Sequence, residues 1–170
     1  MAAFRLARHS EGMAEADRKA TIAKLEELCQ ARLLCYATSD RGGHETQIGD
    51  DASPFLYRHL HAIGRTERLA LFLYSRGGHT MTGFAFASAL RQFAKDVHVL
   101  VPFRAHSCAT LISLTGSRVV MGHFGQLSPI DPSITSPHGP TLGQGQDVRF
   151  IPVSVEDVAA YFSLARAEAR

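Results

Sequence analysis

Short, almost wholly apolar segments alternate with helix-like segments in the middle of the chain, and this alternation most restricts the fold. Leu69–Tyr74 and Val97–Val101 are the clearest apolar segments. Each precedes a stretch with helical periodicity, at about residues 80–94 and 107–115. Strands that are apolar at nearly every position are typical of parallel sheets buried on both faces, with helices as the crossovers. We therefore predict an α/β domain with a mainly parallel sheet that helices cover on both faces.

The segments before and after this region extend the pattern. Residues from about 12 to 32 have the spacing of an amphipathic helix, and Leu33–Ala37 has the composition of a strand. Asp51–Pro54 offers a capping residue followed by a proline at the first helical position. Val119–Met121 predicts a further short strand. The stripe expected to be buried on the helix after Pro54 is Phe55, Leu56, His59, Leu60 and Ile63.

The last third of the chain has a different composition. Residues 122–146 are rich in Gly, Pro, Ser and Thr, which predicts a long irregular segment, and its part from residue 133 either covers a cleft or forms a flexible surface loop. Ser154 and Asp157 resemble a capping box that opens a final helix. One face of that helix carries Val158, Tyr161, Phe162 and Ala165.

The length favours one domain with a single core, since 170 residues are too few for two comfortable ones. We therefore predict a single domain over residues 1–170. Its parts are an N-terminal helical arm (1–32), an irregular loop (133–150) and a C-terminal helix (154–170).

Composition excludes several classes of protein. The formal net charge is +2 and no basic block stands out, so the charge pattern does not predict a nucleic-acid partner. The three cysteines lack CxxC spacing, which favours reduced thiols of a cytoplasmic protein over disulfides or a zinc site. No apolar run approaches the roughly 20 residues that span a bilayer, so any membrane association is expected to come from segments or partners outside this chain. We expect no metal and no organic cofactor.

Two loops follow consecutive predicted strands and carry residues suited to chemistry. Gly77 and Gly78 lie in the first loop, and Ser107 ends the second at the start of a helix. Because neighbouring parallel strands end at the same sheet edge, we expect the two loops to lie together. The two loops have a structural and a functional interpretation. In the first, the glycines only form a tight turn and the serine only caps its helix. In the second, the glycines offer amide N–H groups to an oxyanion and the serine acts as a nucleophile. In the second interpretation the amide of Cys108 joins the glycine turn in stabilising the oxyanion.

The stretch from Leu71 to Asp131 resembles the Clp protease and crotonase superfamily. Within it the chain is most similar to the serine dehydrogenase proteinase family, which is related to signal peptide peptidase A. The matching segments, in order, are Leu73–Gly78, Val101–Ile112, Val119–Gly122 and Leu127–Pro132. This stretch amounts to about 60 of the 170 residues.

The resemblance implies a ββα spiral fold with a mainly parallel sheet. It also implies that Ser107 is the nucleophile of a serine endopeptidase, with amides of Gly77, Gly78 and Cys108 as the oxyanion hole. Asp131 occupies the family's Ile-Asp-Pro position, where it would orient a base or a substrate amide. Such proteins hydrolyse peptide or protein substrates through an acyl-enzyme and generally form rings or trimers, so the resemblance implies a homo-oligomer.

Two positions depart from the family's pattern. Arg76 stands where the family usually has proline, and it brings a guanidinium beside the predicted oxyanion hole. Ser128 stands where the family often has glycine. Neither change removes an amide donor, so the predicted oxyanion hole keeps its chemistry.

The general base is not evident from the sequence. The three lysines all precede Ser107, whereas related Ser-Lys peptidases carry theirs downstream or on another segment. No histidine lies at residues 129–131, where the spacing of the Clp subunit would put one. His79, His106 and His123 remain, although histidines in proteins are more often structural. Two alternatives therefore stay open: a non-catalytic oligomeric scaffold of the same fold, and a crotonase-like acyl-CoA enzyme that uses the same amides on a thioester enolate.

Overall fold

The computed structural model describes residues 15–131, 133–134, 136–143 and 148–168. The helices are α1 (Glu15–Cys29), α2 (Ser53–Ile63), α3 (Thr80–Phe93), α4 (Cys108–Ser113) and α5 (Val155–Glu168). The longer strands are β1 (Arg32–Ala37), β2 (Thr66–Tyr74), β3 (Ala94–Val101) and β5 (Arg118–Met121). The two-residue strands are β4 (Arg104–Ala105), β6 (Gln126–Leu127), β7 (Ser133–Ile134), β8 (Thr141–Leu142), β9 (Arg149–Phe150) and β10 (Val153–Ser154).

The central sheet contains four strands in the order β1-β2-β3-β5, and every neighbouring pair is parallel. The predicted α/β class with a mainly parallel sheet is confirmed. Because the spatial order follows the chain order, each crossover advances by one strand in the same direction. Right-handed crossovers of this kind put α2, α3 and α4 on one face of the sheet.

The core lies between that face and the helices. Its strand residues occupy alternate positions, and helix residues such as Phe86 and Leu90 pack onto them. The reverse face is only partly covered, since Cys35 and Val120 are exposed and Phe72 and Leu100 are half-buried. The expectation of helices on both faces is therefore wrong, because a sheet wound in one direction receives its crossovers on one side. The strand members of the core are Leu34, Leu69, Leu71, Leu73, Val97, Val99 and Val101.

Helix α2 begins differently from the sequence expectation. A 3-10 turn, Asp50–Ala52, leads into it, and Ala52 stands at the N-cap without a side-chain hydrogen bond. Asp51 therefore does not cap the helix. Asp50 instead accepts a hydrogen bond from the Thr82 hydroxyl, which ties the turn to α3. Proline does lie in the first turn, at Pro54, as expected.

The buried stripe of α2 is narrower than its periodicity predicts. Only Leu56 and Leu60, one turn apart, are fully buried. Phe55 is 59% exposed, His59 is exposed and Ile63 is half-buried. The physical reason is that one i, i+4 ridge is enough to fill the groove between the sheet and α3, so neighbouring apolar side chains remain at the rim.

The chain continues beyond the carboxyl ends of the strands into a second, smaller layer. Ile48 forms a parallel bridge with Gly78, Ser75 forms one with Ala105, and β4 pairs in parallel with β6. The Ser75–Ala105 bridge joins the two loops directly, through Ser75 N–H to Arg104 O at 3.0 Å and His106 N–H to Ser75 O at 3.0 Å. The loops after β2 and β3 are thus adjacent, as predicted from strand order.

The N-terminal arm is helical where it is described, from Glu15, and residues 1–14 lie outside the described residues. Helix α1 has no fully buried residue. Its attachment to β1 runs through Glu26, whose carboxylate accepts a hydrogen bond from Leu33 N–H at 2.9 Å and lies 3.0 Å from Arg32 Nε.

The C-terminal third differs from its prediction in one respect. The segment 133–150 is not irregular throughout, because β7 pairs with β10 and β8 pairs with β9, both antiparallel. Helix α5 forms, and Ser154 caps it by accepting hydrogen bonds from the N–H groups of Glu156 (3.1 Å) and Asp157 (3.4 Å). Its apolar face is not buried, since Tyr161 is 68% exposed. Residues 169–170 of the predicted helix lie outside the described residues.

Among the residues described, no helix is both long enough and apolar enough to cross a lipid bilayer.

A polar cluster at the amino ends of the strands predicts an acid-dependent loss of stability. Asp96 accepts hydrogen bonds from the Ser117 hydroxyl and from Arg68 Nε (2.8 Å), and His98 Nε2 lies 3.1 Å away. The Ser117 bond, and then the Arg68 bond, lower the pKa of Asp96 to about 2. A depressed carboxyl pKa stabilises the fold fully above its unfolded value near 3.9, and this contribution disappears as pH falls through the folded value.

We therefore expect the melting temperatures of wild type and Asp96→Asn to differ most at pH 5 and to converge as the pH falls from about 4 to about 2. Thermal unfolding followed by circular dichroism at stepped pH measures this difference. Ser117→Ala keeps the Asp96 carboxyl but removes its hydroxyl donor. It should therefore narrow the pH range over which the stabilisation by Asp96 is lost. A difference that stays constant from pH 5 to pH 2 would contradict the assignment.

Candidate functional site

Ser107 has a backbone conformation that serine rarely adopts. Its φ is 53° and its ψ is −121°, at the N-cap of α4. Non-glycine residues with positive φ are costly, by about 1–3 kcal/mol, and they cluster at functional sites. The Ser107 hydroxyl makes no capping hydrogen bond to the helix, so the simple capping interpretation does not account for this residue. In α/β-hydrolases the nucleophilic serine lies on a comparably sharp strand-to-helix turn.

Contacts from a distant segment hold this conformation. Ser107 N–H donates to Ser128 Oγ at 2.7 Å, across 21 residues of sequence. Ser128 N–H donates in turn to Thr110 Oγ1 at 3.1 Å, and the Thr110 hydroxyl donates to Ala105 O at 2.6 Å. The serine at position 128 therefore has a specific role, since its hydroxyl satisfies the amide of the strained residue. The sequence marked Ser128 only as a departure from a family pattern.

The glycine turn, Gly77 and Gly78, lies against Ser107. Gly77 has φ +106°, and a Cβ added there would lie 2.8 Å from Ser107 Cβ and 3.4 Å from its Oγ. Gly78 has φ +151°, and a Cβ there would lie 2.2 Å from the carbonyl oxygen of Ile48. The structure thus brings together two loops that are 29 positions apart, counted from Gly78 to Ser107. Only glycine leaves room for this approach.

The three amides predicted for an oxyanion hole are not equivalent. Gly77 N–H is already engaged, because it donates to Ser75 Oγ at 3.0 Å. Within the described ranges, Gly78 N–H and Cys108 N–H donate to no other residue. The site therefore offers two free amides among the described residues. One is that of Gly78, in the glycine turn, and the other is that of Cys108, directly after the serine.

The Cys108 thiol is a weak candidate for a nucleophile. Its side chain is fully buried, and burial raises the pKa of its thiol to about 11. A thiol with that pKa stays protonated near neutral pH and is a poor nucleophile. Of these two neighbours, Ser107 is therefore the better candidate.

No base from the described part of the chain hydrogen-bonds to Ser107 Oγ. Lys95 lies at the amino end of β3, about 20 Å along the strand from the serine loop, and pairs with Glu67 at 2.7 Å. Lys19 pairs with Glu15 within α1. Lys24 is an exposed residue of the same helix.

Asp131, predicted to orient a base or a substrate amide, and the three histidines considered as the base have different surroundings. Asp131 is exposed and accepts a hydrogen bond from Ser154 Oγ at 2.7 Å, which links it to the start of α5. His79 and His123 are exposed. His106 is half-buried, and its backbone N–H belongs to the bridge with Ser75. None of these side chains hydrogen-bonds to the serine in the ranges that the structure describes.

A charged cluster that sequence reasoning missed lies beside the glycine turn. Asp40 Oδ2 accepts hydrogen bonds from Tyr74 Oη at 2.5 Å and Arg104 Nη1 at 2.8 Å, and Arg76 Nε lies 3.7 Å from the same oxygen. The Tyr74 hydroxyl, together with the two guanidinium groups, lowers the pKa of Asp40. The four residues come from three segments that are far apart in sequence, so no local pattern could have joined them.

Among the residues described, no group of three or more His, Cys, Asp or Glu side chains is arranged to hold a metal ion.

Comparison with known proteins gives little further information. No protein-family model matches the chain. An uncharacterized protein of Methanocaldococcus jannaschii is 26% identical over 87 residues, which are 51% of this chain and 30% of that protein. The chain thus matches less than a third of its relative's length. The relative's name assigns it no activity.

Proposed function

We propose that the chain is a serine peptidase of the Clp protease and crotonase type, with Ser107 as its nucleophile. The observation that carries the proposal is the strained conformation of Ser107 at a strand-to-helix junction, with its side chain against the glycine turn and its hydroxyl unused by the helix. An N-cap serine ordinarily has extended backbone angles and accepts a hydrogen bond from the helix, whereas strained residues of this kind cluster at functional sites.

The topology supports the proposed fold type. Three successive strands of the sheet advance in one direction, and after each one the chain adds a short bridge to a second layer before its helix begins. This repeated strand-bridge-helix step corresponds to the ββα unit that the sequence resemblance implies. Ser107 follows β4 directly, where the first layer meets the second.

The proposed mechanism has two chemical steps. Ser107 Oγ attacks the carbonyl carbon of a peptide bond, its proton passes to a general base, and the N–H groups of Gly78 and Cys108 stabilise the oxyanion. The C–N bond then breaks, the amine leaves with the proton, and the acyl group stays on Oγ. Water attacks the ester in the second step, releasing the acid and the free hydroxyl. Catalytic hydrogen bonds are often long before substrate binds, so in this mechanism the base reaches Ser107 Oγ only in the assembled, substrate-bound protein.

A homo-oligomer is part of the proposal. Helix α5 exposes several apolar side chains and has no buried residue. An isolated helix of 14 residues is only marginally stable in water, so this one needs a surface to pack on. The helix also begins beside Asp131, which the resemblance assigns to the site. If α5 packs on a second copy of the chain, side chains of that copy would lie close to Asp131.

A labelling experiment tests the nucleophile. An alkyl fluorophosphonate should modify one serine of the purified protein, and peptide mass spectrometry should locate the adduct at Ser107. Ser107→Ala should lower the labelling rate at least about 1,000-fold, a loss typical for removal of a catalytic nucleophile. Ser163→Ala, the same change on the exposed face of α5, should label like wild type. Absence of an adduct on the wild-type protein would contradict the proposal.

One observation favours a second candidate function. The Ser107 hydroxyl hydrogen-bonds to no base in the described ranges, which is compatible with a non-catalytic oligomeric scaffold that keeps the fold. The same labelling experiment separates the two, because a scaffold without a base would leave Ser107 unreactive.

A further inference from the structure

The groove beside the glycine turn carries a guanidinium group that the local ion pair does not need. Asp40 Oδ2 already has two close donors, Tyr74 Oη and Arg104 Nη1, at 2.5 and 2.8 Å. Arg104 is held further by the ring of Phe103, 4.4 Å from its guanidinium carbon. Arg76 Nε stands 3.7 Å from the same oxygen, beyond hydrogen-bond distance. One carboxylate therefore faces two guanidinium groups, and Arg104 makes the closer contact.

Arg76 is exposed to the space where a substrate would lie. Its side chain is 61% exposed, whereas that of Arg104 is 27% exposed. Arg76 lines a groove of about 380 Å³ together with the glycine turn on one side and the loop after β1, residues 39 and 45–47, on the other. A group bound by Arg76 would lie next to the Gly78 amide.

The shared groove limits which substrate group can reach Arg76. Arg76 and Gly78 line the same space of about 380 Å³, so a substrate whose scissile carbonyl lies at the Gly78 amide would have its neighbouring groups beside the guanidinium. An arginine side chain pairs best with a carboxylate, through two parallel N–H···O bonds. The matching group is thus a carboxylate close to the scissile carbonyl.

Glu45 is the opposing charge in the groove. It lines the same space and forms no ion pair with the described residues. It would repel a bound carboxylate, so it limits the preference that Arg76 creates.

We propose that Arg76 is a specificity-determining residue that selects substrates with a carboxylate close to the scissile bond. The carboxylate comes from an acidic side chain or from the end of a peptide. This inference rests on the proposed function, since it assigns a substrate class to the Ser107 site.

Protection of Ser107 from the fluorophosphonate tests this assignment. Three short peptides are compared: acetyl-Ala-Ala-Glu-amide has only a side-chain carboxylate, acetyl-Ala-Ala-Gln has only a terminal one, and acetyl-Ala-Ala-Gln-amide has none. We expect at least one of the charged peptides to halve the labelling rate at a concentration about five-fold lower than the neutral peptide requires. The charged peptide that protects better identifies the source of the carboxylate.

Matched variants separate the contribution of Arg76 to this difference in protection from the effect of net charge. Arg76→Gln should abolish the five-fold difference, and Glu45→Gln should enlarge it. Arg65→Gln makes the same charge change at the other end of the sheet, where it should leave the difference intact. Equal protection by all three peptides, or a preference that survives Arg76→Gln, would overturn the inference while leaving the nucleophile in place. Failure of the wild-type protein to label at all would instead overturn the proposed function.

Discussion

Replacing Gly78 with alanine should destabilise the fold by about 4 kcal/mol or more, lowering the melting temperature by about 10 °C. The new Cβ would lie 2.2 Å from the carbonyl oxygen and 2.5 Å from the nitrogen of Ile48, and these backbone atoms cannot move aside as a flexible side chain can. Ile48 is itself fully buried, which leaves its backbone no free direction. The φ of +151° adds conformational strain to the steric overlap.

Two other glycines, both in the loop after β1, are controls that separate the steric overlap from the backbone strain. Gly42 has open space around it and no positive φ, so Gly42→Ala should be almost neutral. Gly43 also has open space but a φ of +79°, so Gly43→Ala should cost about 1 kcal/mol through strain alone. Urea unfolding of the three variants measures the series. A loss for Gly78→Ala no larger than that for Gly43→Ala would show that the close approach to Ile48 is absent in solution.

Replacing Ser107 with glycine should abolish fluorophosphonate labelling and raise stability at the same time. Glycine adopts positive φ without the strain of about 1–3 kcal/mol that serine carries, although it loses about 0.5–1 kcal/mol more backbone entropy on folding. The net expectation is a gain of about 1 kcal/mol, or about 3 °C in melting temperature. A residue that destabilises its fold and is retained for reaction is typical of a catalytic group.

Ser107→Ala is the matched control for that gain. Alanine removes the hydroxyl but keeps the Cβ, and with it the strain at φ 53°. The hydroxyl forms no capping bond, so its loss alone should leave the melting temperature almost unchanged. Differential scanning calorimetry of wild type and both variants provides the comparison. If glycine lowered the melting temperature relative to alanine, the strain assigned to Ser107 would not exist.

The sequence predicts the sheet well because its signal is local. Strands β2 and β3 are nearly continuous apolar runs, and the segments after them have helical periodicity, so element type and order follow from residues close in sequence. Their coverage by helices on one face was not predictable, because apolar character along a strand does not reveal which side its crossovers occupy. Only the spatial order β1-β2-β3-β5 determines that.

The candidate site was partly predictable for a related reason. Ser107 and the glycine turn follow neighbouring strands, so strand order alone brings them to one edge. The strain at Ser107 depends on Ser128, 21 residues away, and the ion-pair cluster at Asp40 joins three segments that are far apart in sequence. Such contacts depend on the folded arrangement and have no sequence period. For helix α5 the local pattern predicts the helix correctly, but it cannot identify the surface on which the helix packs.

The bridge between Ile48 and Gly78 couples the loop after β1 to the orientation of the Gly78 amide. Ile48 N–H donates to Gly77 O at 2.8 Å, and His79 N–H donates to Ile48 O at 2.9 Å, so the peptide of Gly78 is fixed from both sides by one residue. The preceding residues, 41–47, are exposed. Any opening of that loop which breaks both bonds releases the Gly78 amide from its orientation. In the proposed mechanism, the fraction of molecules ready to stabilise an oxyanion is therefore bounded by the local unfolding equilibrium of a surface loop, which amide hydrogen exchange at His79 reports directly.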